Sequence, residues 1–490
     1  MGEAKRTQSI RPTFNGSLTI ETRPERLSSD AGTVILREAM ERLGIIDWLT
    51  ARLHDPRDQE FVTHPLEELL RSELLLLAQG WRDLDDADAL RDDPLYRLAV
   101  SNRGGAAPLL PPPPAPDGEP TRTPDGLASQ PTLSRLTHAL ASKDNRAVLN
   151  EGLVVATGRR LRGANQGHRV RHVTLDVDAL PFEVAGHQPG SAFNGHYHAR
   201  VFLPLMATLG QHGDIVGLCL REGNAGAATG DLDFILPLLP QIEEHIGQVV
   251  TVRVDAAHPD ETFCGTMEER GTDYVARIKN NPVLDRMAED YLFRPVGRPP
   301  DEPRTWLYDL SYRAESWSKA RRVVLVVLER PGELLLDYFW LVTSYNATAM
   351  PADKLLELYR GRGTAEGHMG ELKHVFDPAL SSSPRAKSHY RGDTPKKRTP
   401  SCDAFAANEV RLLLNALSYD VLHMVRTLIE QATGRGWSIQ AVRERIVRVA
   451  GRIVLHGRRV TLVVASTAAK WWQAVWSKLN RWRLVDAWAE

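Results

Sequence analysis

One stretch, LLELYRGRGTAEGHMGELKHVF at residues 355–376, limits what this chain can be more than any other. On an α-helix advancing ~100° per residue, Tyr359, Arg362, Glu366 and Lys373 fall within ~60° of one another. One face then carries a phenol, a guanidinium, a carboxylate and an ammonium. An ordinary solvated helix also carries ion pairs at three- and four-residue steps. Cations gathered around a single carboxylate, however, meet the needs of a site that grips phosphate and helps to hold a metal ion.

At 490 residues the chain exceeds the size at which one core stops growing, so several substructures are expected. Hydrophobic residues make up 42% and charged residues 25%, the balance of a globular protein with a large core. No apolar run reads as the ~18 residues needed to span a bilayer, and the N-terminal residues lack a signal-peptide apolar region, so no membrane partner and a cytoplasmic location are expected. Cys219, Cys264 and Cys402 are scattered without a CxxC, which argues against a disulfide framework or a structural zinc site.

Net charge is only -1, yet the basic residues are unevenly spread. Between Ser381 and Pro400 there are six Lys or Arg, among them Lys396, Lys397 and Arg398, against Asp393 alone. Seven Arg lie between Arg435 and Leu462 with Glu444 as the single acid. A basic C-terminal third on a neutral chain suits contact with a nucleic-acid backbone.

Along the chain, residues 1–102 read as helical. The Pro- and Gly-rich segment 103–126 reads as a linker, and 127–167 as a helical connector. The period then changes. RHVTLDVDALPFE alternates as a strand, with Val173, Leu175 and Val177 on one face and Asp176 and Asp178 on the other. Further strands, first in a hairpin-like series and then alternating with helices, give a mixed α/β core over 168–283. Three strands with little helix between them make 284–346 a β-rich insertion or extension. The core helix follows at 347–376, a basic loop at 377–400, and a helical, basic region at 401–490.

Acids stand at three places in this plan: Asp178, with Asp176 as its rival, at the end of the first strand, Asp255 at the end of TVRVD, and Glu366 on the helix. Three carboxylates brought together repel one another, and hard oxygen donors suit Mg²⁺ or Mn²⁺ as the compensating charge. Two such ions can promote in-line displacement at a phosphodiester.

Tyr359, Arg362, Glu366 and Lys373 reproduce the Y-x2-R-x3-E-x6-K signature of insertion-sequence transposases of the DDE superfamily. The resemblance runs over most of the chain, through LDVDALPFEVAGHQPGSAFNGHYHARVFLPL, REGNAGAATG, VRVDAAHPDETF, DYVARIKNNPVL and SCDAFAANEVRLLLNALSYDVL. It implies an RNase H-like core with a β-rich insertion, and Asp178, Asp255 and Glu366 as catalytic acids holding two Mg²⁺ or Mn²⁺ ions. Asp176 stays open as an alternative first acid. Where the family commonly has a small or hydroxyl residue and an aromatic after the second Asp, this chain has Ala256, Ala257 and His258. The resemblance further implies DNA partners, namely terminal inverted repeats and target DNA, a homodimer on paired ends, and a bacterial, nucleoid-associated location. Tyr359, Arg362, Lys373, Lys396, Lys397 and Arg398 would contact DNA. A transposase that has lost catalysis and only binds DNA, or a metal-dependent nuclease, is the alternative.

Overall fold

A computed structural model describes residues 12–15, 17–20, 25–111, 126–184, 186–294, 296–297, 300–381, 403–457 and 459–482. Its centre is an eight-stranded mixed sheet. In chain order the strands are β1 (His172–Ala179), β2 (Leu205–Leu209), β3 (Ile215–Cys219), β4 (Gln248–Val254), β5 (Asp273–Ile278), β6 (Arg304–Tyr312), β7 (Arg321–Glu329) and β8 (Asp337–Thr343). Across the sheet they run β6-β7-β8-β5-β4-β1-β2-β3. β4 lies parallel to β1 and to β5, whereas β2 folds back antiparallel to β1 and β3 antiparallel to β2. The C-terminal ends of β1, β4 and β5 therefore meet at one edge, and Asp178 and Asp255 arrive there together.

The mixed α/β core expected from the sequence is thus present, with helices at both ends of the chain. The β-rich segment is an extension: β8 pairs antiparallel with β5, and β7 and β6 continue the same sheet. Its strands alternate Val323, Leu325 and Val327 toward one core with Val324 and Val326 toward another, so both faces are covered.

Helices cover the sheet. Those that matter for the site are α1 (Thr33–Leu43), α2 (Leu66–Gln79), α3 (Lys143–Ala164), α4 (Asp231–His245), α5 (Glu261–Arg270), α6 (Ala352–Arg360), α7 (Arg362–Glu371) and α8 (Asp403–Thr433). α4 and α5 pack on the Leu175 and Val177 face of β1. α8 is buried nearly all round, as suits a helix enclosed by others, and several polar residues such as Glu409, Asp420 and Arg426 are buried with it. It is long and apolar enough to cross a membrane by length and composition, contrary to the sequence expectation, but its apolar window is almost wholly buried against protein. α1, α2 and α3 surround it in one core, and Ser28 pairs with Gly451, so the first and last helical regions are packed together.

Candidate functional site

β1 presents Thr174, Asp176 and Asp178 on the face opposite Leu175 and Val177. The two aspartates meet different surroundings. Asp176 is 1% exposed and takes a two-pronged contact from Arg253 of β4, its neighbour across the parallel register, with Nε 2.6 Å from Oδ1. Arg253 also donates to the Leu358 carbonyl at the end of α6. Glycine is required around this pair, because a β-carbon on Gly210 would strike Arg253 and Asp176, and one on Gly361 would strike Arg253. Asp176 and Arg253 thus tie the sheet to the helix that follows.

That helix is not one continuous rod. α6 ends at Arg360, Gly361 forms a turn, and α7 begins at Arg362. Residues Leu372–Phe376 close it as a π-helical turn. Arg362 bridges two carboxylates, donating to Asp178 Oδ2 and, one helical turn along, to Glu366 Oε1. Asp178 Oδ1 accepts from the Ala179 N–H at 2.9 Å. Burial pushes the Asp178 carboxyl above the usual carboxylate range, the Arg362 charge pulls against it, and Asp255 and Glu366 add to the rise. The three expected acids therefore lie within electrostatic reach of one another.

Asp255 follows the end of β4. Its Oδ1 accepts from the Ala257 N–H at 2.9 Å. It lines a cavity of about 400 Å³ together with Arg277, Lys279, Asn280, Tyr359 and Arg362. Tyr359 packs near Phe339, over which Arg277 is stacked. Burial raises the Tyr197 hydroxyl, and the charges of Asp178 and Asp255 raise it further. A larger cavity, about 1070 Å³, lies by the start of β1 among Arg171, His212, His368, His423 and Arg426, and none of the three acids lines it.

Lys373 lies two turns beyond Glu366 on the same helical run. It sits in the π-helical turn, and no hydrogen bond or ion pair among the described residues joins it to Asp178, Asp255 or Glu366. A π turn is wider than a regular α-helical one. His368 turns the other way, to Tyr419 and Arg426. Lys396, Lys397 and Arg398 lie outside the described residues. The Arg-rich tail is not uniformly a surface: Arg443 is 3% exposed and donates to the carbonyls of Leu77, Ala78 and Val375.

Sequence reasoning missed Arg253, Arg277, Lys279 and Tyr197. The signal for the middle two was present, in a strand ending RIKNN beside the Asp255 strand. Arg253 carries no such signal, since it alternates as a polar residue of an ordinary strand.

A family model described as "Transposase DDE domain group 1" matches residues 10–483. The chain belongs to the DDE transposase family. Asp178, Asp255 and Glu366 come from the ends of two adjacent parallel strands and from one helix, with Arg362 between Asp178 and Glu366. Among solved structures, the chain is similar to a piggyBac transposase synaptic complex with hairpin DNA, at 11% identity and a TM-score of 0.38, covering 87% of this chain and 80% of that one. No curated protein matches it.

The donor set of this transposase-family site suits a hard divalent cation. It is all carboxylate oxygen, and Asp255 Oδ2 and Glu366 Oε2 accept no hydrogen bond among the described residues. The carboxyls do not yet converge on one point. Among the described residues no three His, Cys, Asp or Glu side chains are grouped closely enough to hold one ion. Arg362 supplies the positive charge between Asp178 and Glu366 instead.

Proposed function

We propose that this protein cuts the ends of its own mobile element and joins them to target DNA, by metal-dependent phosphodiester chemistry at Asp178, Asp255 and Glu366. The observation that supports the reading is that Arg362 bridges Asp178, at the end of β1, and Glu366 of α7, and lines one cavity with Asp255, at the end of β4. The strand order β3-β2-β1-β4-β5, with β2 alone reversed and β3, β4 and β5 running in the direction of β1, supports an RNase H-like core.

Asp178, Asp255 and Glu366 would hold two ions, Mg²⁺ or Mn²⁺, whose chemistry is to sharpen an attacking water or 3′-hydroxyl and to neutralise the departing oxygen. Asp176 is the poorer candidate for this role, because both of its oxygens are engaged by buried Arg253. Arg362, once released from the carboxylates, would grip a phosphate beside the scissile bond in the two-pronged manner available to a guanidinium. Arg277 and Lys279 extend positive charge along the cavity beside Asp255, and Tyr359 lines it with them, so the chain's own residues would fix the DNA backbone and shield the reacting phosphate.

The DNA would be the element's terminal inverted repeats and then the target, with two ends held by a homodimer. Lys373, Lys396, Lys397 and Arg398 would add backbone contacts. The location would be the bacterial cytoplasm, on the nucleoid, where an insertion sequence is carried.

The test is cleavage of a duplex bearing the element's end by purified protein with Mg²⁺ or Mn²⁺. Wild type is expected to nick and then join the freed 3′ end, whereas Glu366→Gln is expected to bind the duplex and not cut it. Binding without cutting by wild type would assign a DNA-binding protein that has lost catalysis. Cutting without joining would assign a nuclease. Equal cutting by Glu366→Gln would remove that residue from the chemistry.

A further inference from the structure

Behind Asp255 lies a second carboxylate, and a histidine joins the two. His258, three residues after Asp255, has a fully buried side chain whose ring lies between two acids. Its Nδ1 is 2.8 Å from Asp231 Oδ2, and its Nε2 is 3.4 Å from Asp255 Oδ1. Nε2 is enclosed, yet it makes no aligned hydrogen bond among the described residues. Asp231 is itself fixed as the first residue of α4, where Oδ1 accepts from the Leu232 N–H at 2.7 Å after the chain turns at Gly230 with φ 73°.

Core packing alone does not explain this arrangement. A buried imidazole nitrogen without a partner carries a desolvation penalty of about 1–3 kcal/mol. The nearest group to relieve it is the carboxylate that the ring faces. Both constraints on Asp255 act on the same oxygen, since Oδ1 is held by the Ala257 N–H and faced by His258. Oδ2 is left with no hydrogen bond among the described residues. Carboxylates that bind metal are commonly oriented by a hydrogen bond from behind in this way. Such contacts can be long in the unliganded protein and tighten when the ligand arrives.

We infer that His258 is a positioning residue: anchored by Asp231 at the start of α4, it fixes the direction in which Asp255 offers its second oxygen to a divalent cation. The inference rests on the assignment of Asp255 as a metal-holding carboxylate. It also gives a physical role to the residue that departs from the family's usual small-then-aromatic pattern at this point.

Mn²⁺ titrated into the full-length protein, with free Mn²⁺ followed by electron paramagnetic resonance, tests it. His258→Ala is expected to weaken Mn²⁺ binding about 10–100-fold. DNA affinity should hold, and His258→Gln, which can place an amide near the Nε2 position, should recover most of the loss. Asp255→Asn should lose the same binding event. Wild-type affinity in His258→Ala, with loss in Asp255→Asn, overturns the positioning role and leaves the assignment of Asp255 standing. Wild-type affinity in Asp255→Asn overturns that assignment and the inference with it. If His258→Ala is too unstable to titrate, Asp231→Asn carries the test: weaker Mn²⁺ binding supports the relay, and unchanged binding overturns it.

Discussion

Arg253 grips Asp176 through both carboxylate oxygens inside the sheet and, with its remaining nitrogen, holds the Leu358 carbonyl at the end of α6. One buried side chain thereby fixes where the helix carrying Arg362 and Glu366 begins. Replacing it with Met should leave Asp176 buried and unpaired, at a cost of about 3–5 kcal/mol in chemical denaturation. The double variant Arg253→Met with Asp176→Leu should recover most of that stability, because no lone charge remains. Cleavage should not recover with it, since the helix has lost its anchor.

Gly361 is the break point between α6 and α7, and Arg253 fills the space a side chain would need. Gly361→Ala should destabilise the fold by about 1–3 kcal/mol through overpacking. The same substitution at Gly363, which has nothing near its β-carbon position, should be close to neutral. Denaturation midpoints of the two variants compare them directly.

Arg362 should matter more to catalysis than to DNA affinity. It neutralises Asp178 and Glu366 before DNA arrives and would hold a phosphate afterwards. Arg362→Ala is expected to slow cleavage about 10²–10³-fold, the scale of losing one aimed donor. Arg362→Lys should recover little, because an ammonium cannot span two oxyanions as a planar guanidinium does. Single-turnover cleavage and a gel-shift titration on the same duplex separate the two effects.

Glu73 gives the fold a pH dependence that has nothing to do with the site. It is 1% exposed on α2, and burial pushes its carboxyl up to about 7, with the Arg411 charge opposing. Between the ordinary value of 4.5 and about 7 the folded chain keeps a proton that the unfolded chain releases. Stability is therefore full below about 4.5 and falls as pH rises through about 7, by about 3 kcal/mol in all. Glu73→Gln should flatten this fall and be more stable than wild type at pH 8. Denaturation midpoints at pH 5 and pH 8 for both proteins provide the comparison.

What could be read in the sequence follows from where each signal is local. The two-residue alternation of RHVTLDVDA put Asp176 and Asp178 on one strand face, and they lie there. Arg362 and Glu366, four apart, meet on one helical turn as their spacing requires. The π-helical turn at Leu372–Phe376, which holds Lys373, carries no such local signal in the sequence. Asp176 and Asp178 could not be told apart from sequence, because the guanidinium that engages the former comes from another strand. Arg443 misled in a different way, since a guanidinium in a basic run looks solvated but here serves the carbonyls that end α2. Charge counts do not reveal which cations the fold uses internally.

The central claim is that Asp178, Asp255 and Glu366 close around divalent metal when DNA is bound. Crystals of the protein on a duplex bearing the element's end, soaked in Mn²⁺ and measured for anomalous scattering, test it most directly. Manganese peaks ligated by those carboxylates, with Arg362 moved from them to a phosphate, are the predicted result. Manganese elsewhere, or none at the site while Arg362 still bridges Asp178 and Glu366 on bound DNA, would contradict it.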